Sequence, residues 1–81
     1  MKYRIRYFAM LRERLEQTVD EVELGEGATG QELLDRVGEM YPSIADLLRF
    51  VRLASPDRYL KASDQLPSDI EILLIPPVSG G

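Results

Sequence analysis

The chain opens with a regular alternation of charged and bulky apolar residues, which predicts a half-exposed β-strand over residues 2–8. One face of this strand is apolar and is expected to lie against the core. The other face carries positive charge and ends in an aromatic ring. The inward set is Tyr3, Ile5 and Tyr7, and the outward set is Arg4, Arg6 and Phe8.

The next segment changes to helical spacing and then returns to alternation. Residues 9–15 predict a short helix. Residues 18–24 predict a second strand, in which Val22 and Leu24 face inward between acidic residues. The two strands are therefore expected to form a hairpin-like pair, joined by a connection longer than a tight turn.

The main helix is marked by its start, its apolar stripe and its stop. Thr29 is followed three residues later by Glu32, which is the spacing of a capping box. Pro42 ends the helix, because the residue before a proline disfavours helical backbone angles. The stripe that must cover the sheet consists of Leu33, Leu34, Val37, Met40 and Tyr41.

The second half of the chain predicts three more strands and one more helical turn. The turn lies at residues 43–48, and the strands lie at 49–54, 59–61 and 70–75. The last segment is almost entirely apolar, which is typical of a central strand. We expect Ile70, Ile72 and Leu74 to face the helix, and Glu71, Leu73 and Ile75 to face away from it.

This order of elements predicts an α+β fold of the β-grasp type, with a mixed sheet of about five strands and one main helix packed on one face. We expect residues 1–75 to form the domain and residues 76–81 a flexible tail. In this fold the first and last strands are parallel neighbours, so Phe8 and Ile75 meet on the exposed sheet face. An apolar patch there indicates an interaction surface; if the strand parity is reversed, both residues belong to the core.

Composition limits the chemistry that this chain performs by itself. It has 81 residues, enough for one domain, and contains no Cys, His or Trp. Thiolate nucleophiles, disulfides, Cys-based metal sites and the usual general base near neutral pH are therefore excluded. The chain has neither an apolar run of membrane-spanning length nor a signal peptide at its start. We expect a cytoplasmic protein that works with partners rather than a self-contained enzyme.

The distribution of charge is uneven. A net charge of −4 argues against nucleic acid as the main partner. The charged residues in segment 1–14 are mostly basic, whereas those in segment 16–39 are mostly acidic. The acidic segment is either a solvated surface or a face that steers a basic partner, and composition does not choose between the two.

The C-terminal residues differ from the rest of the chain. Pro76 and Pro77 fix an extended backbone and lack amide donors, so the sheet is expected to stop there. Gly80 and Gly81 give the thinnest possible backbone, which suits threading into a narrow channel of another protein. Since no side chain of the tail is a good nucleophile, the α-carboxylate of Gly81 is the group placed to be activated.

Three regions of the sequence resemble one known family. They are residues 75–81 at the tail, residues 7–9 with 11–13 near the start, and residues 27–29 with 32–34 before the main helix. Through them the whole chain is similar to the small subunits of molybdopterin synthase, which are ubiquitin-like sulfur carriers with a β-grasp fold. The diglycine tail is the specific part of this match.

The resemblance implies a role in molybdenum cofactor biosynthesis. An adenylating enzyme similar to ubiquitin-activating enzymes uses ATP to activate Gly81, and a sulfur donor converts the adenylate to a thiocarboxylate. The carrier then inserts its tail into the large subunit of molybdopterin synthase, within a heterotetramer, and donates sulfur to a cyclic pyranopterin precursor. The resemblance implies no metal or cofactor on this chain, and neither nucleic acid nor membrane as partner.

The same resemblance assigns roles to individual positions. The family's hydrophobic docking residues correspond to Phe8, Tyr59 and Ile75, and Arg12 corresponds to an arginine that contacts a partner or braces the tail. The implied reactive group is the terminal carboxylate of Gly81. The other tail residues implied in partner binding are Pro76, Pro77, Val78, Ser79 and Gly80.

Two turn positions depart from the family pattern. The family often has Asn where Pro56 lies, and it usually has Gly-Asp where this chain has Asp69 and Ile70. Both departures concern loop geometry rather than the chemistry of the tail.

Three other functions fit the same features. They are a sulfur carrier for another pathway, such as thiamine synthesis or tRNA thiolation, a ubiquitin-like modifier joined to lysines, and a plain interaction domain with an incidental tail. The ending at residues 76–81 disfavours the thiamine carriers, whose tails resemble Val-Gly-Gly. The sequence leaves the remaining alternatives open.

Overall fold

In the computed structural model, which describes residues 1–77, a five-stranded mixed sheet packs against helices on one face. The strands are β1 (Lys2–Tyr7), β2 (Val19–Glu23), β3 (Arg52–Ala54), β4 (Tyr59–Leu60) and β5 (Ile72–Ile75). The helices are α1 (Ala9–Leu15), α2 (Gly30–Met40) and α3 (Ala45–Leu48), with a 3-10 turn at Pro42–Ile44. The strand order is β2-β1-β5-β3-β4, so the predicted α+β fold of the β-grasp type is confirmed.

The last strand lies in the middle of the sheet. It pairs in parallel with β1 and antiparallel with β3, as the sequence predicted for the first and last strands. The register sets Tyr7 beside Leu74, Leu74 beside Leu53, and Leu53 beside Leu60. All four side chains are buried, so this row across four strands forms the floor on which the helices pack.

The start of α2 is fixed by the predicted capping box. The backbone N–H of Glu32 donates to the Thr29 hydroxyl oxygen at 3.3 Å, and the Thr29 N–H donates to the Glu32 carboxylate at 3.4 Å. Gly30 lets the helix begin against the sheet, because a Cβ there would lie 2.6 Å from Leu53 Cδ1. Within residues 1–77, no helix has the length and hydrophobicity needed to cross a membrane.

The side chains of the apolar stripe of α2 differ in how deeply they are buried. Leu33 and Val37 are completely buried, whereas Leu34, Met40 and Tyr41 are partly buried and pack around the core cluster. The helix ends at Met40, just before Pro42, as predicted. The next two short helical elements add Ile44 and Leu48 to the same core.

Two strands start two or three residues later than the sequence predicted. Residues 49–51 are not in a strand, because the N–H groups of Phe50 and Val51 donate to the carbonyls of Leu47 and Leu48 and extend the helical turn. Ile70 lies outside the last strand and is half-buried. The preceding Asp69 has a φ of 65°, a left-handed bend that delays strand pairing until Ile72.

The remaining strand predictions differ at their ends. The second strand is Val19–Glu23 rather than residues 18–24, and the fourth is Tyr59–Leu60 rather than 59–61. At the first strand, Phe8 keeps extended backbone angles but serves as the cap of α1. The predicted turn at residues 55–58 is closed by reciprocal backbone hydrogen bonds between Ser55 and Arg58.

Candidate partner-binding site

The sheet face opposite α2 carries a row of large side chains at the point where the chain leaves β5. Ile75 pairs with Arg52 of β3, and extending the β1–β5 register by one residue sets Phe8 on the other side of Ile75. The Arg52 guanidinium lies over the ring of Tyr59 in β4, 4.6 Å from its centroid. We call Phe8, Ile75, Arg52 and Tyr59 the docking row.

The strand parity predicted from the sequence is confirmed by burial. Ile72 and Leu74 are fully buried under the helices, whereas Leu73 and Ile75 are half-buried on the other face. Tyr59, at the end of the docking row, is 61% exposed. An apolar surface therefore remains accessible beside the last residues of β5.

Phe8 is held at a corner between β1 and α1. Its backbone is extended, and the following Ala9 has a φ of 48°, so the chain turns directly into the helix. Leu11 is fully buried and its N–H donates to the Phe8 carbonyl at 3.1 Å, which anchors this corner to the core. Arg12 lies on α1 one turn after Phe8 and is exposed.

Arg52 is the member of the docking row that the sequence analysis missed. The parity of β3 would have identified it, because Leu53 is buried and its neighbour Arg52 must therefore point to the opposite face.

The rest of the open face is mainly charged. Arg6 Nε donates to Glu71 Oε1 at 2.9 Å, and this hydrogen bond raises the pKa of Arg6. Arg4 lies directly across from Glu21 in the register of β1 and β2. The open face therefore has two halves: mainly charged side chains over β1 and β2, and apolar groups with Arg52 over β5, β3 and β4.

A polar cluster braces the covered side of β1. The hydroxyls of Tyr7 and Tyr41 both donate to Asp20 Oδ2, at 3.2 Å and 2.7 Å, and their rings meet edge to face. Burial, followed by the Asp20 carboxylate, raises the pKa of Tyr7. The hydrogen bond to Asp20 also raises the pKa of Tyr41. This cluster ties the end of α2 to β1, directly before Phe8.

The described structure places only part of the predicted tail. Strand β5 ends at Ile75; Pro76 is buried and Pro77 is exposed. The chain therefore leaves the packed domain between the two prolines, next to the docking row. The predicted partner-binding residues Val78, Ser79 and Gly80, and the predicted reactive residue Gly81, lie outside the described residues.

Comparison with known proteins gives a family for this chain. The ThiS family matches residues 5–81. Two relatives, each named molybdopterin synthase sulfur carrier subunit, come from Chlamydomonas reinhardtii and Mycobacterium tuberculosis. Each is 30% identical over 100% of this chain, and the matches cover 100% and 99% of those proteins.

Solved structures agree with the fold. SAMP1 from Haloferax volcanii superposes with a TM-score of 0.83 at 20% identity, over 100% of both chains. The complex of subunits 1 and 2 of molybdopterin-converting factor from Helicobacter pylori contains a chain with a TM-score of 0.66 at 20% identity, again over 100% of both chains. At these identities the likeness shows the fold alone. By its sequence match, the chain belongs to the ThiS family, and its resemblance to molybdopterin synthase sulfur carriers is confirmed.

Proposed function

We propose that this protein is the sulfur carrier subunit of a molybdopterin synthase. The observation that carries the proposal is the exit of the chain from the central strand beside the docking row, with a Gly80–Gly81 end following after a few residues. Two full-length relatives bear the name of such a subunit. The domain would dock through its open face while its terminus reaches into a partner.

The chemistry of this proposal takes place on the terminal carboxylate. Attack of the Gly81 carboxylate on ATP, in an adenylating enzyme, forms an acyl-adenylate and releases pyrophosphate. A sulfur donor displaces AMP and leaves a thiocarboxylate, whose sulfur is then transferred to a cyclic pyranopterin precursor. The chain has no Cys or His to serve as an internal nucleophile, so its contribution is delivery of the terminus by proximity.

The partners in this proposal are proteins. The Helicobacter pylori structure is a complex of two converting-factor subunits, and by analogy the docking row of this chain would meet a large synthase subunit. We further propose a heterotetramer, an adenylating enzyme that binds the ATP, and a cytoplasmic location where ATP is supplied. This chain itself would hold no metal or cofactor.

The proposed function is tested by mass spectrometry of the C-terminal peptide. After incubation with the adenylating enzyme of the same organism, ATP and a sulfur source, we expect the mass gain of one sulfur atom replacing one oxygen atom. A reaction without ATP is the control. A C-terminal peptide of unchanged mass in the complete reaction would contradict the proposal.

A second assay separates the competing functions of a diglycine terminus. We expect the intact gene to restore molybdenum cofactor synthesis in a strain that lacks its own small synthase subunit. Restoration of thiazole synthesis or tRNA thiolation instead would assign the carrier to another sulfur pathway. Gly81 found in isopeptide linkage to cellular lysines, without restored cofactor synthesis, would assign it as a protein modifier.

A further inference from the structure

We propose that Arg52 is a partner-recognition residue that pairs with a carboxylate on the large synthase subunit. The proposal rests on the proposed function and adds a chemical requirement for the partner. That partner must present an apolar surface to Phe8 and Ile75, and an acidic side chain to the cation that lies between Ile75 and Tyr59.

Any partner that covers the docking row also covers Arg52, because of the position of this residue in the sheet. Ile75 pairs directly with Arg52, and the Arg52 guanidinium lies over Tyr59 on the next strand. A surface that covers Tyr59 and Ile75 together therefore also covers Arg52. The chain leaves the domain after Pro76, one residue beyond Ile75, so a partner that receives the tail lies over the same place.

The charge of Arg52 is not compensated within the described chain. The ion pairs of residues 1–77 are Arg6 with Glu71, Arg36 with Glu39, and the N-terminal amine with Glu23. The arginines of the open face thus differ in their surroundings. Arg6 is neutralised by Glu71, and Arg4 lies across from Glu21 on β1, outside the docking row. Arg52 lies over an aromatic ring within the docking row. A guanidinium over a ring still has N–H donors that a partner's acceptor can bind, because the ring itself offers no carboxylate.

Covering an unpaired cation is costly, which is why the partner requires an anion. Removal of a charged group from water is strongly unfavourable unless an opposite charge or hydrogen-bond acceptors replace the water. A carboxylate matches the fork of guanidinium donors with two parallel hydrogen bonds. Stacking on Tyr59 also holds Arg52 in place before binding, so less conformational freedom is lost on docking.

The chain contains a matched control for this residue. Arg49 lies over the ring of Phe50 at 5.1 Å from its centroid, and Phe50 is 56% exposed. This pair lies in the turn after α3, outside the sheet. Arg49 and Arg52 are therefore both exposed arginines stacked on exposed aromatic rings, and only Arg52 belongs to the docking row.

The test measures the affinity of the full-length protein for the large synthase subunit of its own organism, at low and at moderate salt. We expect Arg52→Met to weaken binding about tenfold or more and to reduce the salt dependence of the dissociation constant. Arg52→Glu is expected to bind more weakly still, because its new carboxylate would repel the partner's carboxylate. Arg49→Met and Arg49→Glu should remain within about twofold of the parent protein.

Each outcome decides the proposal. Arg52→Met with parental affinity overturns it, and so does equal weakening by Met and Glu with unchanged salt dependence, because no anion is then opposite Arg52. Thermal unfolding of each variant is the control that checks whether these exposed substitutions leave the fold intact. A parent protein that forms no complex with the large subunit contradicts the proposed function, and this inference with it. Complex formation with parental affinity in Arg52→Met contradicts the inference alone.

Discussion

Leu73 and Leu74 are neighbours in β5, yet they lie on opposite faces of the sheet and have different surroundings. Leu74 is fully buried among Tyr7, Leu53 and the helices, whereas Leu73 is half-buried on the open face. The same residue type therefore contributes to the core in one position and to an accessible surface in the next. A single strand supplies both the stability of the domain and its candidate site.

This comparison explains how so small a domain can keep apolar side chains accessible on one face of its sheet. The covered face holds nearly all of the fully buried side chains, and the apolar area left on the open face adds less to folding. Binding energy is available there, because a partner can still remove that area from water. Substitutions on the two faces should therefore separate stability from recognition.

The largest expected effect comes from neither face. Deletion of Gly81 should abolish sulfur transfer, because the proposed reactive carboxylate would be carried by Gly80 and would lie one residue too short. The melting temperature should change by less than about 2 °C, since every side chain of the core cluster lies between residues 3 and 74. Single-turnover transfer assays and calorimetry measure the two quantities. Full transfer activity, or a large loss of thermal stability, would contradict this expectation.

The next effect sharpens the contrast between adjacent leucines. Leu74→Ala should lower the free energy of unfolding by about 3 kcal/mol, through lost burial and the cavity that remains. Leu73→Ala, the matched control, should cost less than about 1 kcal/mol because its side chain keeps solvent contact. Urea denaturation of both variants measures the difference. Equal losses would show that the open face contributes to folding as strongly as the covered face.

The third prediction concerns recognition by the docking row. Phe8→Ala and Ile75→Ala should each weaken binding to the large synthase subunit by more than about 1 kcal/mol, the level that marks a contributing interface residue. Titration calorimetry gives the affinity of each variant. Val19→Ala is a suitable control, because Val19 is 44% exposed on the open face but lies in the distant edge strand β2. Unchanged affinity in both docking-row variants would refute the assigned surface.

The fourth prediction uses the polar cluster behind β1. Because the pKa of Tyr7 is higher in the folded protein than its unfolded value of about 10, the unfolded chain ionises first and stability should fall as the pH rises above 10. Tyr7→Phe should make this alkaline loss shallower and cost about 1 kcal/mol at pH 7, through the lost hydrogen bond to Asp20. Denaturation curves from pH 7 to 11 test both effects, with Tyr59→Phe as an exposed control. Parallel pH profiles for the parent and Tyr7→Phe would disprove the assignment.

Much of the fold could be predicted from local patterns. Alternation along β1 and β5 gave the buried and exposed faces correctly, because each strand has one covered face and the side-chain period is two. The capping box at Thr29 and the stop before Pro42 gave the bounds of α2. These features depend on neighbouring residues, which is why the sequence reveals them.

Features that depend on distant residues were not predicted. The Tyr7 and Tyr41 hydroxyls meet at Asp20 only after α2 crosses the sheet, and the local alternation of residues 18–24 does not show this contact. The strand prediction for residues 49–54 was wrong at its start, because backbone hydrogen bonds to α3 outweighed the strand preference of Phe50 and Val51. Arg52 could be placed on the open face by parity, but its position over Tyr59 depends on the pairing of β3 with β4.

The smallest expected effect concerns the backbone bend at Asp69, just before β5 begins. Asp69 is a non-glycine residue with a φ of 65°, in the left-handed region. Since glycine adopts this conformation without steric cost, Asp69→Gly should raise the free energy of unfolding by about 0.5 kcal/mol, after its greater loss of backbone entropy is subtracted. Asp69→Ala, which keeps a Cβ, should not be stabilising. Affinity for the large subunit should be unchanged in both, since residue 69 lies outside the docking row; a change in affinity would mean that the bend controls the register of β5 and therefore the placement of Ile75.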